Sequence, residues 1–180
     1  MRTDDVLVLE AAAGRDPQLV ARLTGLINDV YATAEQGLWR DDATRTTTAE
    51  VAELIAARQI AVAWRGGEIA GSIRIHDVAD DASEFGMLVA DPEHRGTGVG
   101  SALVAFAEDR GRGRGRRAMQ LELLVPRAWR HPSKEFLKAW YGRSGYRVVR
   151  TSSIDAAYPQ LAPMLATPCD LLVYEKPLRA

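Results

Sequence analysis

Arg95-Gly96-Thr97-Gly98-Val99-Gly100-Ser101 is the stretch on which the reading of this chain turns. Ahead of it, Glu84 to Val89 reads as a strand. Behind it, Val99, Ala102, Leu103, Phe106 and Ala107 recur at helical spacing. The first N–H groups of a helix have no partner within it, and the aligned peptide dipoles leave positive charge there. Glycines remove the side chains that would hold an anion away from those groups. Arg95 adds a full charge and a fork of donors suited to phosphate. A pyrophosphate is the natural guest, since a plain tight connection has little need of three alternating glycines after an arginine. A Walker loop is excluded because no Gly-Lys pair is present. A dinucleotide fingerprint requires a third glycine where Ser101 or Leu103 stands. What remains is Arg-x-x-Gly-x-Gly, carried by Arg95, Gly98 and Gly100.

Working outward, Val6 to Ala12 reads as a strand. Asp16-Pro17 starts a helix whose apolar face is Leu19, Leu23, Leu26, Ile27, Val30 and Tyr31. Glu35 to Thr46 reads as a loop, and Thr47 with Glu50 predicts a capping box before a short helix. Ile60 to Trp64 and Ile69 to Val78 flank a Gly66-Gly67 hairpin turn. After the central helix come a strand from Met119 to Val125 and a helix from Ser133 to Tyr141, with Phe136, Leu137 and Trp140 inward. Tyr146 to Val149 and Leu171 to Glu175 complete the strands, joined by a proline-bearing connection from Ser152 to Pro168. The order implies an α/β (α+β) fold, one mixed sheet with helices on both faces. No repeat or linker divides residues 1–180, so a single domain is expected.

Trp140-Tyr141-Gly142-Arg143-Ser144-Gly145-Tyr146 lies downstream of the glycine turn. Together the two motifs resemble the GNAT family of N-acetyltransferases, as does the order of elements from Val6 to Lys176. The resemblance implies a central, mostly antiparallel mixed sheet and acetyl-CoA as cosubstrate. The implied reaction is acetyl transfer to a primary amine of a small molecule or peptide, by direct attack in a ternary complex. It assigns Arg95, Gly96, Thr97, Gly98, Val99, Gly100 and Ser101 to the pyrophosphate, and the backbone of Met87, Leu88 and Val89 to the pantetheine arm. Tyr141 matches the family's usual acid, and a phenol is protonated at neutral pH. Glu84 is a candidate base and Glu122 a second; Tyr31, Glu35 and Trp39 are candidates for the acceptor pocket. The chain departs from the family on the late helix, where Lys134 and Leu137 replace an Asn and a small residue.

Composition narrows the alternatives. A net charge of −1 supplies no general pull toward nucleic acid or anionic membrane. The one cysteine, Cys169, cannot form an intrachain disulfide, and the amino terminus has no signal-peptide pattern, so a cytoplasmic address is expected. His76, His94 and His131 lack ligand spacing, so no metal is expected. Two rival readings stand beside the enzyme. One is a silent acyl-CoA-binding sensor. The other is an RNA-binding module using Arg110-Gly111-Arg112-Gly113-Arg114-Gly115-Arg116-Arg117, a run without the interleaved aromatics such segments use. Gly111 is placed to end the central helix, leaving the run as a solvated connection. Neither the acceptor nor the oligomeric state follows from the residues; a homodimer is compatible with them.

Overall fold

The computed structural model describes residues 5–40 and 43–178; the polar start Met1-Arg2-Thr3-Asp4 lies outside them. In chain order the elements are β1 (Asp5–Val8), α1 (Pro17–Ala34), α2 (Thr48–Ala56), β2 (Ile60–Arg65), β3 (Glu68–Ala79) and β4 (Ala82–Ala90). They continue as α3 (Val99–Gly113), β5 (Ala118–Pro126), α4 (Pro132–Arg143), β6 (Arg147–Ser153), α5 (Ile154–Ala157) and β7 (Cys169–Pro177). The strands form a seven-stranded sheet in the order β1-β2-β3-β4-β5-β7-β6. Every neighbouring pair is antiparallel except β4 and β5.

Local chemistry explains most boundaries. The Asp16 carboxylate accepts from the amides of Gln18 and Leu19, and Pro17 opens α1. Thr47 accepts from the Glu50 amide, but the Glu50 carboxylate accepts from the Thr46 hydroxyl at 2.7 Å. The predicted capping box is therefore half formed. Gly66 and Gly67 both have positive φ, 62° and 85°, as a two-residue hairpin between right-twisted strands requires.

Some expectations change. The first strand stops at Val8, and Ala11–Arg15 is a 3-10 turn packed on α2. There a Cβ on Gly14 would lie 2.8 Å from the Ala52 carbonyl oxygen. Gly111 does not end α3, which runs on to Gly113. Its bare Cα instead admits Leu178, whose Cδ1 would lie 2.8 Å from a Cβ at that position. Phe136 is 63% exposed rather than inward. The Ser152–Pro168 connection contains α5 and packs Ile154 with Leu38, Leu124 and Leu171.

Two cores lie on opposite faces of the sheet. On one, α1 and α2 bury Leu23, Ile27, Val51 and Ile55 against Val62, Met87 and Val89. On the other, α3 and α4 bury Leu103, Ala107 and Tyr141 against Phe85 and Leu121. A β-bulge in β4 sets this division. Gly86 pairs with Arg74 and Val89 with Ser72, so Met87 and Leu88 oppose Ile73 alone. Met87 takes φ 47°, and the parity of β4 shifts there. Phe85 and Leu88 belong to the α3–α4 face, while Met87 and Val89 belong to the α1–α2 face.

Candidate active site

The bulge stands beside a break in the sheet. β4 pairs with β5 only over Ala82–Glu84 against Ala118–Gln120. β5 then follows β7 along its whole length, from Ala118 opposite Pro177 to Pro126 opposite Cys169. Beyond Glu84 the two parallel strands diverge, and the β5-facing edge of Phe85–Ala90 keeps its backbone groups free of any strand. Met87 and Val89 are 2% and 1% exposed. Their side chains are thus committed to the core, and only their backbone can serve a guest in the gap.

At the far end of that edge is the glycine turn. Gly96 and Gly98 have φ of 74° and 91°, and a Cβ on either would meet nothing within 4 Å. The open space is on the outside of the turn. Gly98 precedes α3 without any side-chain cap, so the amides of Val99, Gly100 and Ser101 at the helix start lack a capping acceptor. The turn itself is held from within: Thr97 donates through its hydroxyl to the His94 carbonyl at 2.6 Å, and Arg65 donates to the Thr97 carbonyl at 3.5 Å. Arg95 is exposed and makes no ion pair with a described residue. Trp140 on α4 closes the neighbouring wall, its ring edge 3.8 Å from where a Gly100 Cβ would stand.

Glu84 occupies the last rung before the strands part, opposite His76 on β3. Its carboxylate lies 3.7 Å from His76 Nε2. Burial, then repulsion from Glu122, pushes its pKa up to about 7 against the opposing pull of Arg74 and Arg150. A carboxylate with that value exchanges protons at neutral pH. Glu122, the second candidate, accepts from the Tyr158 hydroxyl at 2.5 Å. Its charge thus acts on Glu84 while one of its own oxygens is taken. The part played by His76 and Tyr158 was not legible in the sequence, because strand register and a long connection bring them here.

Tyr141 is 5% exposed in an aromatic cluster. Its ring centroid lies 6.1 Å from Phe85, 5.0 Å from Trp140 and 6.0 Å from both Tyr146 and Tyr174. Burial raises its pKa, and the Tyr31 and Tyr174 phenols raise it further. Tyr31 sits on α1, on the opposite face of the sheet, so the influence of one tyrosine on the other runs across the gap. Tyr31 carries the Arg45 guanidinium 5.1 Å above its ring. Burial raises its pKa, with Arg45 opposing.

The Glu35 carboxylate, a candidate to meet the ammonium of an acceptor, is already engaged. Glu35 is buried, and its two oxygens accept from Lys134 Nζ and Trp39 Nε1, each at 2.5 Å. An incoming ammonium would have to displace Lys134, which is 4% exposed. The Trp39 indole donor is spent on the same carboxylate, and its backbone bridges to Leu165. Together with His131, whose Nε2 lies 3.1 Å from the Gln36 carbonyl oxygen, these contacts tie the turn after α1 to the start of α4. Lys134, where the family often has Asn, is therefore a brace between helices. Lys134→Met leaves Glu35 buried without its cation and should cost about 3–5 kcal/mol of stability. Thermal denaturation of the variant measures that loss; an unchanged melting temperature would dismiss the brace.

The arginine-glycine run is largely satisfied within the protein. Arg112 pairs with Asp109 at 2.6 Å, Arg114 and Arg116 share Asp77 at 2.5 and 2.8 Å, and Arg117 pairs with Asp81 at 3.1 Å. The guanidinium of Arg116, with help from Ser83 and Arg114, holds the Asp77 carboxyl well below the usual range. These contacts pin the β3–β4 turn to the end of α3 and leave little of the run for RNA. Among the described residues, no group of three or more His, Cys, Asp or Glu is placed to hold a metal ion. No helix among them is long and apolar enough to cross a membrane.

The acetyltransferase (GNAT) family model matches residues 24–142. The chain belongs to the GNAT family. GNAT proteins among solved structures share the fold over nearly the whole length. yncA from Salmonella typhimurium, solved with its cofactor acetyl-CoA, is 16% identical with a TM-score of 0.69, covering 99% of this chain and 96% of its own. A ribosomal-protein-alanine N-acetyltransferase from Brucella melitensis is 17% identical with a TM-score of 0.70, covering 97% and 99%. An aminoglycoside 6'-N-acetyltransferase complexed with coenzyme A is 16% identical with a TM-score of 0.69, covering 98% of both chains. No curated protein sequence matches the chain. GNAT membership makes it an acyltransferase.

Proposed function

We propose that the protein transfers an acetyl group from acetyl-CoA to the primary amine of a small molecule or peptide, by direct attack within a ternary complex. The observation that carries this reading is the parting of β4 from β5 immediately after Glu84. It leaves a free strand edge that ends at the open glycine turn. Backbone groups of Met87, Leu88 and Val89 suit the amides of a pantetheine arm, and the α3 amides with Arg95 suit the pyrophosphate. An arm laid along that edge ends beside Glu84, with Tyr141 approaching from the other face.

In this arrangement the chain's groups divide the proton work. Glu84 takes a proton from the ammonium, freeing the nitrogen lone pair to attack the thioester carbonyl. As the carbon–sulfur bond breaks, Tyr141 gives its proton to the departing sulfur, and the second proton that the nitrogen loses on becoming an amide restores the phenol. Its raised pKa keeps that proton in place at neutral pH. Tyr31, with Arg45 over its ring, supplies one wall on the acceptor side, whereas Glu35 positions the loop rather than meeting the amine.

Thiol release from acetyl-CoA across a panel of small amines, amino acids, antibiotics and peptides tests the reading. Amine-dependent release separates an enzyme from a silent acyl-CoA sensor, which binds without turnover. Tyr141→Phe keeps the ring packing and should lower kcat about 10²–10⁴-fold with acetyl-CoA affinity little changed. An unchanged kcat at saturating substrates removes Tyr141 from the acid role.

A further inference from the structure

A polar cavity, of about 390 Å³, opens at the other end of α3 from the glycine turn, between the end of α2, β3 and the C-terminal part of α3. Arg58, Arg110 and Arg114 line it, with Gln59, His76 and Asp77. The charges there do not cancel. Arg58 has Glu10 at 2.7 Å, half exposed, and Arg114 has Asp77. Both Asp77 oxygens are already engaged, Oδ1 by the Ser83 hydroxyl and Oδ2 by Arg114 and Arg116. Arg110 forms no ion pair or hydrogen bond with a described residue, although it faces two other guanidinium groups. Their repulsion, after burial, lowers its pKa.

Two further features point the same way. Arg58 has φ 57°, a left-handed conformation that a glycine would take more cheaply at a helix end. The side chain at this position is one of the three cations in the cavity. His76 also lines the cavity, and its buried Nδ1 has no hydrogen-bond partner among the described residues. The other nitrogen of that ring faces Glu84.

We propose that this cavity is a second ligand site, one that takes the phosphate group of a small phosphomonoester between Arg58, Arg110 and Arg114. Phosphate presents several acceptor oxygens and a charge near −2, which suits converging guanidinium forks better than a single carboxylate does. The volume exceeds that of inorganic phosphate and falls in the range of small-ligand pockets. His76 both lines this cavity and has its Nε2 3.7 Å from the Glu84 carboxylate, so the cavity adjoins the candidate base.

Calorimetric titration of the protein saturated with acetyl-CoA tests the site, because the glycine turn is then filled. The probes are inorganic phosphate and glycerol 3-phosphate. The parent should bind at least one, with affinity falling about tenfold or more in Arg110→Gln, which removes no ion pair of the fold. Tighter binding of glycerol 3-phosphate assigns a phosphomonoester, and tighter binding of inorganic phosphate assigns the free ion; either keeps the phosphate site. Arg58→Gly should also weaken binding while leaving the melting temperature at or above the parent's, since the backbone strain is relieved. Binding should survive in Gly98→Trp, which keeps this site independent of the acetyl-CoA reading. No binding of either probe to the parent, or equal affinity in Arg110→Gln, overturns the proposal.

Discussion

Glu84→Gln lowers the rate of acetyl transfer at neutral pH by about 10²–10⁴-fold, the usual contribution of a positioned base. The amide keeps the size and hydrogen-bonding shape of the carboxyl but takes no proton from the amine. The sign of the pH dependence follows from the raised pKa. Below about 7 the parent's Glu84 holds its proton and cannot act; above it the carboxylate is free. The parent's kcat/KM should therefore climb with pH up to about 7 and then level, while the Gln variant loses that limb. Glu122 is one cause of the shift, so Glu122→Gln should move the limb to lower pH. Steady-state thiol release measured across the neutral range reads all three. A Glu84→Gln enzyme with the parent's rate and pH profile would exclude the base role.

The same shift has a stability consequence that separates chemistry from misfolding. The folded state holds the Glu84 proton more tightly than the unfolded chain does, so its relative stabilisation is present below the ordinary glutamate range and is lost as pH rises through about 7. Above that window the native protein carries a desolvated charge, which Gln removes. Glu84→Gln should thus melt no lower than the parent at alkaline pH while being far less active.

Gly98→Trp should abolish measurable acetyl-CoA binding. An indole there extends into the open side of the turn, where a diphosphate would approach the amides of Val99, Gly100 and Ser101. Charged hydrogen bonds contribute about 1.5–3 kcal/mol each, so losing two weakens binding about a hundredfold or more. The φ of 91° adds a backbone cost of about 1–2 kcal/mol for any side chain. Gly98→Ala isolates that cost, because its methyl group meets nothing within 4 Å. The alanine variant should lose stability and retain most affinity, whereas the tryptophan variant loses affinity. Calorimetry showing parental affinity in Gly98→Trp would remove the turn from the pyrophosphate role.

By itself the sequence determined whatever depends on neighbours along the chain. The Asp16-Pro17 start, the Gly66-Gly67 hairpin, and the left-handed Gly96 and Gly98 before a helix follow from local dihedral preferences and the unpaired amides of a helix start. The two motifs that resembled the GNAT family lie within such segments, so family and fold could be read there. Tertiary structure alone decided the remainder, because burial and pairing join residues far apart in the chain. Glu35 reads as free to meet an amine until Lys134, 99 residues away, is found against it. Glu84 reads as one of two candidate bases until sheet register sets it beside His76 and within reach of Glu122. The arginine run reads as a solvated connection until Asp77 and Asp81 are found against Arg114, Arg116 and Arg117, with Arg110 on a cavity wall and in no ion pair with a described residue. A side chain's charge is written in the sequence; whether that charge is spent depends on the three-dimensional neighbour that water gives way to.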